Sequence, residues 1–177
     1  LPTYSAVFSY NNTNNITEIN QLLGENKTVT KHFVYDQMGS LTQIIDAASR
    51  LTQTDFNILG YPIKKIDALG GQTTFERDLL GNLNKIIDAN ENQYSYVYDE
   101  NNNLIKETKS LGNEVEYFYN EIDQLVEQKN SNGNRVIYQY DKAGNNIKKS
   151  YLDKAQSIPS QEIYYSYNEA NQLIEVQ

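Results

Sequence analysis

Carboxylate and carboxamide side chains in this chain recur where they could do chemistry. Asp46, Asp67 and Asp88 repeat at a step of twenty-one residues, and paired carboxylates are the tools of acid–base catalysis and glycoside cleavage. Asp88-Ala89-Asn90-Glu91-Asn92 and Asp99-Glu100-Asn101-Asn102-Asn103 echo the alternate oxygen ligands of a calcium loop. Both runs lack the glycine at the sixth position and the bidentate Glu at the twelfth, so calcium binding is not expected. His32 is the single imidazole. The sequence offers it no nucleophile elbow, no second histidine at metal spacing and no cysteine. No catalytic residue, metal or cofactor is therefore expected. The regular return of the aspartates has a simpler cause, because an Asx side chain opens a turn by accepting a hydrogen bond from the backbone two residues on.

Turns at fixed spacing need a repeating scaffold. Tyr35-Asp36, Phe56-Asn57, Arg77-Asp78, Tyr98-Asp99, Tyr119-Asn120 and Tyr140-Asp141 form a ladder with a step of twenty-one. Tyr10-Asn11 and Tyr167-Asn168 lie at spacings of twenty-five and twenty-seven, the same unit with small insertions. Three residues after each Asx stands a residue suited to positive φ: Asn14, Gly39, Gly60, Gly81, Asn102, Asp123, Gly144 and Asn171. Two positions further an apolar residue returns at Ile16, Leu41, Leu83, Leu104, Leu125 and Leu173. Pro62 and Asn146 interrupt that slot, and their hairpins are expected to be less regular.

Period-two patterning surrounds the turns. Tyr94, Tyr96 and Tyr98 fall on one face, as do Val115, Tyr117 and Tyr119, then Val136, Tyr138 and Tyr140, then Ile163, Tyr165 and Tyr167. The result is a tyrosine stripe opposite a mostly polar face. A second turn is expected midway through each unit, at 46–50, 67–71, 88–92, 109–113 and 130–134, with Ser49 and Glu91 in its glycine slot. Two turns and two strands of about six residues fill the period. The expected fold is all-β: tandem hairpin repeats of about twenty-one residues in a single-layer, curved antiparallel sheet of about sixteen strands, with little helix.

Tyr35-Asp36-Gln37-Met38-Gly39-Ser40-Leu41 resembles the YD repeat of the RHS family, and the resemblance extends over nearly the whole chain. It implies an antiparallel sheet that spirals into a hollow shell, as in bacterial Rhs proteins, the cocoon of Tc toxins and the extracellular domain of teneurins. The signature positions are Tyr35, Asp36, Gly39, Leu41, Gly60, Asp78, Gly81, Leu83, Tyr98, Asp99, Leu104, Tyr119, Asn120, Leu125, Tyr140, Asp141 and Gly144. Arg77 departs from the aromatic slot. The resemblance further implies a non-enzymatic wall around a C-terminal toxin or effector domain of the same polypeptide, and secretion or display at the cell surface. Residues 1–177 read as one array of about eight hairpins, a fragment of a larger protein. The self-cleaving aspartate core of the relatives carries an Asp-Pro signature that this chain does not contain.

Composition bounds the partners. Hydrophobic residues make up 38% of the chain and 15 residues are Tyr, too little aliphatic material for a deep two-layer core. A net charge of -8 argues against nucleic acid, and no run approaches a membrane-spanning helix. Sequons at Asn11, Asn15 and Asn26 are those expected by chance in an Asn-rich chain. Expected partners are neighbouring repeats and the enclosed domain, with edge-to-edge self-association of the fragment as a consequence of unpaired strand edges. The rival reading is a carbohydrate-binding or adhesion module that stacks sugars on the tyrosine face.

Overall fold

The computed structural model describes residues 4–23, 27–154 and 157–177. Asn26 and parts of the two expected insertions lie outside them. The described residues form sixteen antiparallel strands that follow one another in sequence order. By contacts the chain divides into two units.

The first unit comprises 1–76 and 86–92. It holds β1 (Tyr4–Tyr10), β2 (Ile16–Leu23), β3 (Thr28–Tyr35), β4 (Leu41–Ile45), β5 (Leu51–Phe56), β6 (Pro62–Ile66) and nearly all of β7 (Gln72–Arg77). The second comprises 77–85 and 93–177. It holds most of β8 (Leu83–Ile87), then β9 (Gln93–Tyr98), β10 (Leu104–Thr108), β11 (Glu114–Tyr119), β12 (Leu125–Asn130), β13 (Arg135–Tyr140), β14 (Asn146–Leu152), β15 (Gln161–Tyr167) and β16 (Leu173–Val176). One 3₁₀ turn, Ser110–Gly112, is the helical content among the described residues.

Aromatic and β-branched residues alternate with polar ones along these segments, a pattern that suits a pleated surface with two wet faces. Burial agrees: among the described residues only Leu152 and Ser150 are buried, at 7% and 8% exposure. The sheet is a single layer held by ladders and cross-strand pairs.

The first-turn hairpins at Tyr10, Tyr35, Phe56, Tyr98, Tyr119, Tyr140 and Tyr167 close in the same register. Tyr35 faces Leu41 and Tyr119 faces Leu125, each with a bulge on the partner strand where the register shifts just before the aromatic. Phe56 facing Pro62 and Tyr140 facing Asn146 show the same pairing and the same bulge. The expected irregularity at these two hairpins is thus overturned. The loop geometry is set by the Asx and the positive-φ residue, and a proline is tolerated at the first residue of a strand.

Candidate functional site

The turn is built identically along the array. In the Asp36 loop the Asp36 amide donates to the Ser40 carbonyl at 3.0 Å and the Gly39 amide donates to the Asp36 carbonyl at 3.1 Å. This is a type I turn closed by a left-handed residue, the three-residue hairpin loop that matches strand twist. Asp36 Oδ1 accepts from the amides of Met38 and Ser40, both at 2.9 Å. The bond from the second residue is the Asx turn; the one from the fourth clamps the far side of the loop.

The double acceptance recurs at Asn57, Asp78, Asp99, Asn120 and Asp141. Asp46, Asp67 and Asp88 use it in the second turns. The recurrent carboxylates therefore serve turns, each in its own loop. Among the described residues no three His, Cys, Asp or Glu side chains converge to hold a metal ion. Hydrogen bonds and charge hold several of these carboxyls below the ordinary aspartate range. For Asp46 the cause is the Arg50 guanidinium, 2.6 Å from Oδ2, and for Asp141 it is the Asn145 amide group. Desolvation opposes the shift at Asp78 and Asp99, and the hydrogen bonds from Asn82 and Asn103 outweigh it.

Positive φ falls at the expected slots, including Gly39 at 86°, Gly60 at 80°, Gly81 at 92° and Gly144 at 87°. Nothing lies within 4 Å of a Cβ built on Gly60, so its requirement is conformational alone. Ser49 and Glu91 also take positive φ, at 59° and 64°. The Lys109 turn differs: lysine offers no acceptor, and both Leu111 and Gly112 are left-handed, at 71° and 78°.

Two features have no counterpart in the expectations from sequence. The first joins neighbouring turns. Asn82 donates to Asn102 at 2.9 Å, Asn103 to Asp123 at 2.7 Å and Asn145 to Asn171 at 2.9 Å, always through side chains. The same three amides also donate within their own turns to Asp78, Asp99 and Asp141. At Asn102, Asp123 and Asn171 the residue in the glycine slot thus accepts a side-chain donor from the preceding repeat.

The second feature fixes the ladder tyrosines. Tyr98 donates its hydroxyl to the Leu83 carbonyl at 3.0 Å, Tyr119 to Leu104 at 2.9 Å and Tyr140 to Leu125 at 2.8 Å. Tyr35 bonds the Ile16 carbonyl and Tyr167 the Asn146 carbonyl, both at 2.9 Å. Each hydroxyl reaches the first strand residue after the previous repeat's turn. Phe56 has no hydroxyl, and Arg77 instead donates to the Gly81 carbonyl at 3.1 Å.

On the tyrosine face a further line runs through the middle of the strands. Tyr96 pairs with Glu107, Tyr117 with Gln128 and Tyr138 with Lys149. Tyr117 donates to Glu107 at 3.2 Å and Tyr138 to Gln128 at 3.0 Å, each reaching back one repeat. Burial, then the Glu107 carboxylate, pushes the Tyr117 hydroxyl up to about 12. Burial also raises Tyr96, Tyr98, Tyr119 and Tyr138. His32 is half-exposed and stands 3.3 Å from Glu18 across β2 and β3, a cross-strand pair. No helix among the described residues is long and apolar enough to cross a membrane.

Neither a protein family nor a curated protein matches the chain by sequence. Solved structures do match by shape. A Photorhabdus luminescens Tc holotoxin pore superposes with a TM-score of 0.72 at 14% identity, over 99% of this chain and 11% of that one. The TcdB2-TccC3-TEV crystal structure gives 0.61 at 15% identity, over 97% and 12%. TcdB2-TccC3-Cdc42 gives 0.57 at 14%, over 94% and 12%. The chain spans about an eighth of the length of these neighbours. What the likeness shows is the fold: the tandem hairpin-repeat sheet of this chain occurs within those toxin chains.

Proposed function

We propose that this chain is a structural segment in the wall of an RHS/YD-type shell, where successive hairpins shield a toxin or effector domain of a longer polypeptide. The observation that carries the reading is the commitment of the recurrent polar side chains. Asx residues clamp turns, amides bridge neighbouring turns and ladder hydroxyls bond the preceding repeat. A sheet wired in this way holds shape, and its role is containment without catalysis. The likeness to Tc toxin chains, of which this chain matches about an eighth, supports a place within a larger assembly. Secretion or display at the cell surface follows from the same reading.

Limited proteolysis tests it. In the polypeptide that contains these repeats, the effector segment is expected to resist trypsin while the repeats are folded and to be digested once they are unfolded by urea below the effector's own midpoint. Equal digestion in both states contradicts containment.

The strand order leaves β1 and β16 at its two ends. Both expose apolar side chains, Val7, Phe8, Leu173 and Ile174 among them. Neither contains the Pro or Lys that blunts an edge. In the wall these edges take further hairpins; in isolation they take another copy. Sedimentation velocity is expected to show association that rises with concentration, and a strict monomer at high concentration contradicts it.

A further inference from the structure

We propose that the second unit carries a cleft for a carboxylate-bearing sugar, a uronic acid, on its tyrosine face between β13 and β16. The cleft, open to solvent and of about 350 Å³, is lined by Tyr138, Tyr140, Asn146, Lys149, Tyr165, Tyr167 and Leu173, within the size range of small-molecule sites. The inference goes beyond the wall reading, which needs no ligand.

Two departures from the repeat meet in this cleft. At the middle of the tyrosine face, Glu107 and Gln128 each accept the hydroxyl of the next repeat's tyrosine. The third residue of that series is Lys149, which cannot accept. Its ammonium lies over the rings of Tyr138 and Tyr165 instead, 5.5 and 5.7 Å from their centroids. Its neighbour Lys148 is paired with Glu162 at 2.8 Å, whereas no carboxylate among the described residues pairs with Lys149. A half-buried cation held by two ring faces is poised for an anion. The second departure is Asn146 in the leucine slot, whose Oδ1 is buried without a hydrogen-bond partner.

The chemistry selects the ligand. Aromatic faces stack against the apolar side of a sugar ring, and two of these rings are fixed in advance: Tyr140 is tied to the Leu125 carbonyl and Tyr167 to the Asn146 carbonyl. Fixed rings need no ordering when a ligand arrives. A single lysine matches a single carboxylate. A phosphate would call for several cations or a cradle of amides, which this cleft does not provide. An acidic peptide would satisfy the lysine and leave the rings unused.

Calorimetric titration of the whole chain with trigalacturonate, its methyl ester and triglutamate decides the matter. Trigalacturonate is expected to bind, with the methyl ester and triglutamate each about tenfold weaker or worse, the loss of one charge-assisted contact or of the ring stacking. Lys149→Met is expected to cost about the same factor for trigalacturonate and to leave the methyl ester unchanged. Tyr165→Ala is expected to weaken both sugars. Circular dichroism of each variant establishes that it is folded. No binding by the folded native chain, affinity for triglutamate equal to that for the sugar, or binding that survives Lys149→Met overturns the proposal.

Discussion

A hydroxyl decides what the ladder tyrosines do. Each ring would cover a pleated surface equally well as phenylalanine, and Phe56 does so in one repeat, but the bond from Tyr119 to the Leu104 carbonyl couples one hairpin to the next. Tyr119→Phe is expected to lower the unfolding free energy by about 1 kcal/mol, the usual net worth of such a bond, in urea denaturation. The inverse change, Phe56→Tyr, is expected to add a bond to the Leu41 carbonyl and raise stability by about 0.5 to 1 kcal/mol. Tyr117 supplies a pH test. Its folded-state value, raised to about 12, lies above the value near 10 of an unfolded chain. Its contribution is therefore complete below about pH 10 and is lost as pH rises through 12. The melting temperature is expected to fall across that window, and Tyr117→Phe to make the fall shallower.

The turn is the element that repeats, and its chemistry explains where acid should act. Asp46, Asp78, Asp99 and Asp141 have folded-state values below the ordinary aspartate value. Their stabilisation is present above about pH 4 and is lost as pH falls through the lowered values. Thermal melts are expected to hold level down to that point and drop beneath it. One turn departs from the rule: Leu111 is left-handed and almost fully exposed, at 97%. A bulky residue gains nothing there to offset the strain. Leu111→Asn is expected to raise stability by about 1 kcal/mol, checked by the urea midpoint.

Turn positions were legible because they rest on backbone geometry, which Asx and glycine report directly. The regular closure at Pro62 was not, because the slot after the turn is less demanding than the turn itself. Nor was the link from Asn103 to Asp123, which needs the registration of two hairpins before either residue has a reason to be there. The tyrosine hydroxyl bonds were hidden for the same cause. Periodicity places a ring on a face and says nothing of which carbonyl its oxygen meets. The place of Lys149 was hidden likewise, because only the strand pairing sets it against Tyr138.

At the scale of the whole molecule, the described residues build no deep core to unfold around, since only Leu152 and Ser150 are buried. Stability must then reside in neighbour-to-neighbour terms, as in other repeat proteins. Asn120→Ala, which removes the acceptor for the Ile122 and Gln124 amides, is expected to speed amide hydrogen exchange in its own hairpin and the adjoining strands. Exchange in hairpins further away is expected to stay unchanged.

The central claim is that each inner strand is shared between two neighbours in one layer, and Glu127 tests it most directly. It faces Phe118 across the first turn and Ile137 across the second. In an isotope-labelled chain, cross-strand nuclear Overhauser contacts are expected from Glu127 to both residues at once. Contact with Phe118 without Ile137 would leave isolated hairpins in place of a continuous sheet, and would contradict the account.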